Sequence, residues 1–545
     1  MKIKKHLWKF GLGAIAVAIP SIALTSCGTT ISSKTFAELV VSDDTSTLKD
    51  KSFSETTYNG WRNFMIESSV TNQYGIPDHY TKETLDMPDI NSNSKDLDLA
   101  KGYWRRPGGT RENTFRQIFN GGANLIIAPG FNHKEAVEKV ASQMKDKGFI
   151  LLDSNVDATK GDFTNVASFT FRAEQSGFLA GIATAEFLNT NADVFTTGQG
   201  DDGKLKVGGF VGQAFPSTTD FLAGFQHGII SYNLSINKTT SKNSAATTKK
   251  EVEWVGLGNI IGNYAVGNFG PGQGVQISQK LINDGKVDAI IPIAGPQTSD
   301  AIGVVTSGKR PVIVIGVDSE QEKITELNKP LIGQLGGKAL KNFDGKNIDN
   351  PQVMQFSAVK KLDEAVYKTL VAIFNEADPN NQNYNNTTNP ASNDSTNVET
   401  DKAPVQGFGY NNIGTLSNGT VGVSEAGLEW VKSFNSTWFG ADGNLNLEEL
   451  YKDEAYKKLE SSGLLYNHNL SNLTDINTLD DSKAVQAPQF IDNTNRVVSA
   501  LPNNNPPATP NKKEGSTSLN GSIWSLKKGE LKQKPESTEP KKYTI

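Results

Sequence analysis

One cysteine in 545 residues leaves no partner for a disulfide and no second member for a CxxC redox pair. The five histidines, His6, His79, His133, His227 and His468, are scattered, and none has HExxH spacing. A zinc site needs clustered His and Cys, so zinc chemistry is excluded and the expected metal set is empty. No GxSxG elbow is present. A basic excess is missing too: 54 Lys and Arg against 59 Asp and Glu give a net charge of −5. Nucleic acid, whose phosphates call for a basic face, is not an expected partner. Beyond the first residues no apolar run approaches the length of about 20 residues that a membrane helix needs.

What is present begins at the amino terminus. Lys2, Lys4, Lys5 and Lys9 form a basic start, followed by an apolar run from Phe10 to Leu24 and then Leu24-Thr25-Ser26-Cys27. The run is short for a membrane span and suits a signal-peptide core. The last four residues look like a bacterial lipobox, in which the cysteine thiol receives diacylglycerol. Residues 1–26 are therefore expected to be a lipoprotein signal peptide, with Cys27 as the lipidation site and 27–35 as a tether. Two acyl chains anchor stably where one does not. This puts the mature chain on the outer face of the cell membrane. An ordinary secretory signal with a chance cysteine is the other reading.

From Phe36 to Val371 short apolar runs alternate with amphipathic stretches. The runs are Leu39–Val41, Leu125–Ala128, Phe149–Leu152, Val207–Val211, Ala289–Ile293 and Val312–Val317. They are near-continuous, as in parallel strands buried on both faces. Helical patterns lie at Lys134–Lys147, Glu174–Leu188, Phe221–Ile230 and Gly274–Asp284. Strand and helix in alternation predict an α/β fold with doubly wound parallel sheets, and there is enough of it for two lobes. The expected ligand-binding domain covers 36–375 plus 404–424. Residues 66–100 read as a surface insertion, and 376–403 as a polar Asn/Thr insertion that cannot build a core. Within 404–424, TLSNGTVGV reads as two short strands around a Ser417-Asn418-Gly419 turn. Residues 425–501 form an extension with a helix at Glu448–Leu459, and 502–545 a disordered tail rich in Pro, Asn, Lys and Ser.

Local motifs have bland explanations. Gly303 to Lys309 matches the start of a P-loop, but Arg310 stands where Ser or Thr should hold magnesium, and the segment precedes a strand. It reads as a helix-ending turn. Asp442, Asn444 and Asn446 echo a calcium loop, but Leu447 occupies the glycine position, so a surface turn is expected. Gly270-Pro271-Gly272-Gln273-Gly274 is a weak glycine-rich loop before a helix. The chemistry gathers instead at strand ends, where open α/β sheets bind ligands. Asp50-Lys51-Ser52-Phe53-Ser54 follows the first strand and opens a helix through Tyr58, Trp61 and Phe64. Asp318 follows the Val312–Val317 strand, Phe269 lies in a loop, and Lys360 ends a strand pattern from Met354.

These segments in order resemble the basic membrane protein (BMP) family of lipoprotein receptors, purine nucleoside receptors among them. DKSFS at Asp50 is similar to the family's D-K-S-F-N. LIIAPGF at Leu125, the long segment from Asn165 to Phe187, KVGGFVGQ at Lys206, GKVDAIIPIAG at Gly285, VIGVDSEQ at Val314 and SAVK at Ser357 follow. The resemblance covers residues 36 to 371, with a weaker echo to 424. It implies a type I periplasmic-binding-protein fold that captures a small ligand for the permease of an ABC importer, with no cofactor and no catalysis, as a monomer. By motif, Phe53 and Phe269 would stack on the two faces of a purine. Asp318 would hold ribose hydroxyls, Lys360 would bond a ring or sugar acceptor, Asp50 would face the pocket, and Gly295 would admit ligand close to backbone. Ser54 stands where the family has Asn. The Asn-rich inserts and lipoprotein start resemble a wall-less mollicute. Other readings are a different small polar ligand such as a sugar, a surface adhesin or immune-facing lipoprotein using the tail, and a nucleoside hydrolase built on Asp50 and Asp318.

Overall fold

The computed structural model describes residues 37–42, 48–71, 104–196, 203–242, 249–375, 405–467, 473, 475–485 and 508–519. The signal segment, Cys27, residues 376–403 and the 72–100 part of the insertion lie outside the described residues. The insertion begins later than its polarity suggests, because the helix Phe53–Thr71 runs through residues 66–71. No helix among the described residues is long and apolar enough to cross a membrane.

Lobe 1 is built on β1 (Ala37–Val40), β2 (Trp104–Arg105), β3 (Leu125–Pro129), β4 (Gly148–Leu152), β5 (Val166–Phe171), β12 (Tyr410–Gly414) and β14 (Thr509–Pro510). Their order is β14-β12-β5-β4-β3-β1-β2. All pairs are parallel except β12 with β14. Successive side chains on a strand point to opposite faces. Leu125 and Ile127 therefore pack with Trp61 and Phe64 of helix Phe53–Thr71 and with helix Leu362–Asn375. Ile126 and Ala128 pack with helices Arg111–Asn120 and Lys134–Gln143 on the other side. Helices on both faces account for the continuous apolar runs, since neither face of these strands meets water.

Lobe 2 holds β6 (Leu205–Val211), β7 (Val252–Trp254), β8 (Ala289–Ile293) and β9 (Ile313–Val314), in the parallel order β7-β6-β8-β9. The run Val312–Val317, expected as one strand, divides at Ile315. Its second half is β10 (Gly316–Asp318), which pairs parallel with β11 (Ser357–Lys360). β11 in turn pairs antiparallel with β13 (Val421–Val423). The expected hairpin around Ser417-Asn418-Gly419 is also corrected. The turn forms, with Asn418 Oδ1 accepting from Thr415 N at 2.9 Å, but its two strands join different sheets. β12 belongs to lobe 1 and β13 to the three-stranded sheet. Among the described residues the chain is seen to pass between lobes at three places: at Arg172, at Lys360–Leu362 and across 415–420.

Helices Ala173–Thr190 and Pro216–Lys242 form the main buttress of lobe 2. Glycines interlock them: a methyl on Gly181 would lie 2.1 Å from Phe225 O, and one on Gly224 would lie 2.2 Å from Glu174 O. Every residue from Ala173 to Leu188 is buried. A helix buried all round needs a second covering layer, and residues 425–485 supply it. Trp430, Trp438, Tyr456 and Tyr466 of that extension join the lobe 2 core. His227 fastens it, with Nδ1 at 3.0 Å from Ala455 O and Nε2 at 2.9 Å from Leu464 O. The helix expected at Glu448–Leu459 is two helices, Leu447–Leu450 and Glu454–Ser462. Asp453 breaks it by capping the second, accepting from Ala455 N at 2.9 Å and Tyr456 N at 3.0 Å.

The tail reading needs correction as well. Residues 508–519 fold back on lobe 1, where β14 pairs with β12. Phe163 N donates to Asn511 O at 3.0 Å, and Asn511 Nδ2 donates to Val166 O at 3.2 Å. A sheet edge offers unpaired main-chain groups, so a polar segment with little apolar surface can still order there.

Candidate ligand-binding cleft between the lobes

The carboxyl ends of the strands of both lobes converge on a cavity of about 60 Å³. Of the residues singled out from the sequence, Asp50, Phe53, Phe269, Gly295, Asp318 and Lys360 line it. Ser54 does not. It sits in the first turn of helix Phe53–Thr71, where its hydroxyl faces Ser42 N at 3.4 Å and its own N–H donates to Asp50 Oδ2 at 2.8 Å.

Asp50 serves as the cap of that helix. Its carboxylate accepts from the backbone N–H of Ser52 at 3.0 Å, Ser54 at 2.8 Å and Glu55 at 3.2 Å. Such bonds favour the charged form, yet desolvation in the cleft outweighs them and pushes its pKa up to about 6. The capping puts Phe53 at the mouth of the helix. Lys51, Asp153 and Asp318 hold left-handed backbone at φ 57°, 60° and 64°. Non-glycine residues of this kind cluster at functional sites because surrounding contacts must hold the strain.

Asp318, at the end of β10, accepts from Ser52 Oγ at 3.1 Å. Burial raises its pKa, the neighbouring Lys360 opposes that rise, and Asp153 adds to it. Gly295 is the reason this contact can form. A Cβ there would stand 2.0 Å from Ser52 Oγ, so Gly295 here admits a side chain from the opposite lobe rather than a ligand.

Lys360 is 2% exposed and pairs with Asp153. Its Nζ lies 3.1 Å from Asp153 Oδ1, 3.3 Å from Oδ2 and 2.8 Å from Ser217 O. Three donors thus meet three acceptors. The rings of Phe53, Phe171 and Phe221 surround the ammonium at 5.9, 6.0 and 5.1 Å, a favourable setting for a cation.

Ring contact across the cleft is made by Phe131 of lobe 1, not by Phe53. Phe131 meets Phe215 at 3.9 Å between centroids and 33° between planes, and Phe269 at 6.1 Å and 53°. Gly130 precedes it at φ 107°, and a Cβ there would lie 3.3 Å from Ser42 Cβ and 3.9 Å from the Phe53 ring. Phe131 and Asp153 escaped the sequence reading although both follow strands, β3 and β4, and the strand-end rule applied to them as well. Ser217 had no such signal. It opens a helix whose packing against Lys360 is set by long-range topology.

A family model described as ABC transporter substrate-binding protein PnrA-like, Bmp, matches residues 37–251. An uncharacterized lipoprotein of Mycoplasma genitalium is 32% identical over 489 residues, which are 78% of this chain and 73% of that protein. The ABC transporter nucleoside-binding protein BmpA of Lactococcus lactis is 25% identical over 194 residues, 34% of this chain and 47% of that protein. Among solved structures, an ABC transporter system solute-binding protein from Aeropyrum pernix aligns over 81% of this chain and 95% of its own, with 17% identity and a TM-score of 0.45. With two α/β lobes, three crossings and a cleft at the strand ends, the chain belongs to the Bmp family of PnrA-like ABC transporter substrate-binding proteins.

Proposed function

We propose that this substrate-binding protein captures a nucleoside, with a purine base, for an ABC importer, and that it is held on the outer face of the cell membrane by lipid on Cys27. The observation that carries the ligand reading is the pairing, in one cavity, of aromatic walls from both lobes with the buried Asp153 and the half-buried Asp50 and Asp318. Phe53, Phe131 and Phe269 line the cavity and would supply stacking surface to a planar base, and Asp318 would supply an acceptor to ribose hydroxyls. The similarity to the nucleoside-binding protein of Lactococcus lactis points the same way. A cavity of about 60 Å³ has room for a few waters. A ligand pocket usually needs roughly 300 Å³ or more, so capture requires the lobes to part and close again about the three crossings.

Calorimetry with inosine, adenosine, hypoxanthine and ribose tests the ligand. Stacking on an aromatic side chain is worth roughly 1–3 kcal/mol per base. Phe53→Ala and Phe269→Ala should each weaken nucleoside binding about tenfold to a hundredfold. Free base should bind far more weakly than nucleoside, since it leaves Asp318 desolvated with the Ser52 hydroxyl but without the ribose donors. Equal affinity for hypoxanthine and inosine, or wild-type affinity in both phenylalanine variants, rules out this pocket. The anchor has its own check: Cys27→Ser should release the protein into the medium, and retention on the membrane rules the anchor out.

A further inference from the structure

Ser217 stands at the opening of helix Pro216–Lys242, on the lobe 2 side of the cleft. Its carbonyl oxygen is held by Lys360 Nζ at 2.8 Å. Its hydroxyl is buried and has no hydrogen-bond partner in the protein, yet the residue lines the cavity. Neighbouring hydroxyls are satisfied. Ser52 Oγ donates to Asp318 Oδ2 at 3.1 Å. Thr218 Oγ1 reaches Gln213 O and, at 2.9 Å, Phe215 O. Thr219 Oγ1 donates to Phe215 O at 2.7 Å.

A buried hydroxyl without a partner is uncommon, because leaving it unmade costs stability for nothing in return. Here the position is fixed by its surroundings. Pro216 sets the backbone angle that starts the helix, and the Lys360–Asp153 pair holds the Ser217 carbonyl. The side chain is thereby kept at the cavity wall, beside a cation whose three donors are already used.

We propose that Ser217 is a specificity-determining ligand contact: its hydroxyl completes its hydrogen bonding on a polar group of the nucleoside enclosed between the lobes. This rests on the nucleoside reading above. Being neutral, it can donate to a ring nitrogen or carbonyl, or accept from a sugar hydroxyl, which Asp153, Asp318 and the engaged Lys360 cannot all do. It also belongs to lobe 2, so it ties ligand contact to lobe closure.

The test compares full-chain wild type and Ser217→Ala by calorimetry with inosine and by thermal unfolding without ligand. A hydroxyl that serves the ligand and not the fold gives opposite signatures in the two measurements. Inosine binding should weaken about 3- to 10-fold, the range of one lost neutral hydrogen bond. The unfolding temperature should stay the same or rise, because an unsatisfied group has been removed. Two results overturn the proposal alone: wild-type affinity in the variant, or weaker binding accompanied by an unfolding temperature several degrees lower, which marks a structural role. A wild type that binds no nucleoside at all overturns the nucleoside reading, and this contact with it.

Discussion

Lys360 Nζ lies 3.1 Å from Asp153 Oδ1, with the two side chains 2% and 5% exposed. Lys360 ends β11, where the chain returns to lobe 1, and Asp153 follows β4 in lobe 1. The third donor goes to Ser217 O of lobe 2 at 2.8 Å. The ammonium therefore works as a joint between lobes, and the mutual attraction of the pair roughly offsets the cost of burying it. Removing one member leaves a bare charge. Lys360→Met should lower stability by about 3–5 kcal/mol, measured by denaturant unfolding. Lys360→Met with Asp153→Asn should recover most of that loss. A double variant as unstable as the single would show that Asp153 is not the charge that matters.

The same cleft should reject phosphate. Asp50, Asp153 and Asp318 line it against the one ammonium of Lys360. The start of helix Phe53–Thr71, otherwise a good anion site, is filled by the Asp50 carboxylate. Like charges brought together in a desolvated site cost several kcal/mol. A nucleoside 5′-monophosphate should bind at least roughly 100-fold more weakly than its nucleoside, measured by competition. Comparable affinities would mean that the carboxylates do not face the ligand.

Much of this site was legible because its residues follow strands. Asp318 and Lys360 stand at the ends of apolar runs, Asp50 and Phe53 open the helix that follows the first run, and parallel strands deliver such residues to one edge. What the chain order hid was pairing. Nothing near Lys360 in sequence points to Asp153, 207 positions away, and nothing near Phe131 points to Phe215. Ser54 misled because its place beside Phe53 suggested a shared pocket, whereas the helix turns it back toward Asp50. The split of Val312–Val317 was invisible for a similar reason. An apolar run reports burial on both faces, not which sheet each half joins. Residues 508–519 misled in the opposite direction. Composition measures the apolar surface a segment can bury, and an edge strand is held mainly by main-chain bonds.

Affinity should depend on pH through Asp318. Burial raises its pKa above the ordinary 3.8, against the pull of Lys360. The ionised form accepts ribose hydroxyls more strongly than the neutral acid, so nucleoside affinity should fall as pH is lowered toward the raised folded pKa, and the fall should begin above pH 3.8. Asp318→Asn should bind weakly at all pH values and lose the part of the slope that Asp318 contributes above pH 3.8, leaving any change centred near pH 6 to Asp50 in the same cavity. An unchanged slope in that variant assigns the titration elsewhere.

Deleting residues 508–545 should expose the outer edge of β12 and remove the Asn511 bonds to Val166 and Phe163. The unfolding temperature should drop by about 2–4 °C, the shift that roughly 1 kcal/mol gives, with more self-association through the open edge. Inosine affinity should stay within about twofold, since an energy of this size at a distant edge adds nothing at the cleft. A large loss of affinity would tie the tail to binding.

The extension of residues 425–485 should control how freely the lobes move. Arg172 sits at the first crossing. Its backbone N–H donates to Gly414 O at 2.8 Å, at the third crossing. Its guanidinium pairs with Glu174 and with Glu460 of helix Glu454–Ser462. One turn on, Gln175 Nε2 donates to Tyr456 OH at 2.9 Å while its Oε1 accepts from Leu416 N at 2.8 Å. The helix that carries Tyr456 and Glu460 is rooted in lobe 2 through His227. Two of the three crossings are thus tied to an element that does not itself cross, and a hinge braced in this way has fewer backbone angles free to change. Glu460→Gln loosens one tie without orphaning Arg172, which keeps Glu174. Inosine should then dissociate several-fold faster, and the scattering radius of gyration should differ more between ligand-free and saturated protein than in wild type. A modest fall in unfolding temperature with no change in dissociation rate or radius would show that the extension only covers the lobe 2 core.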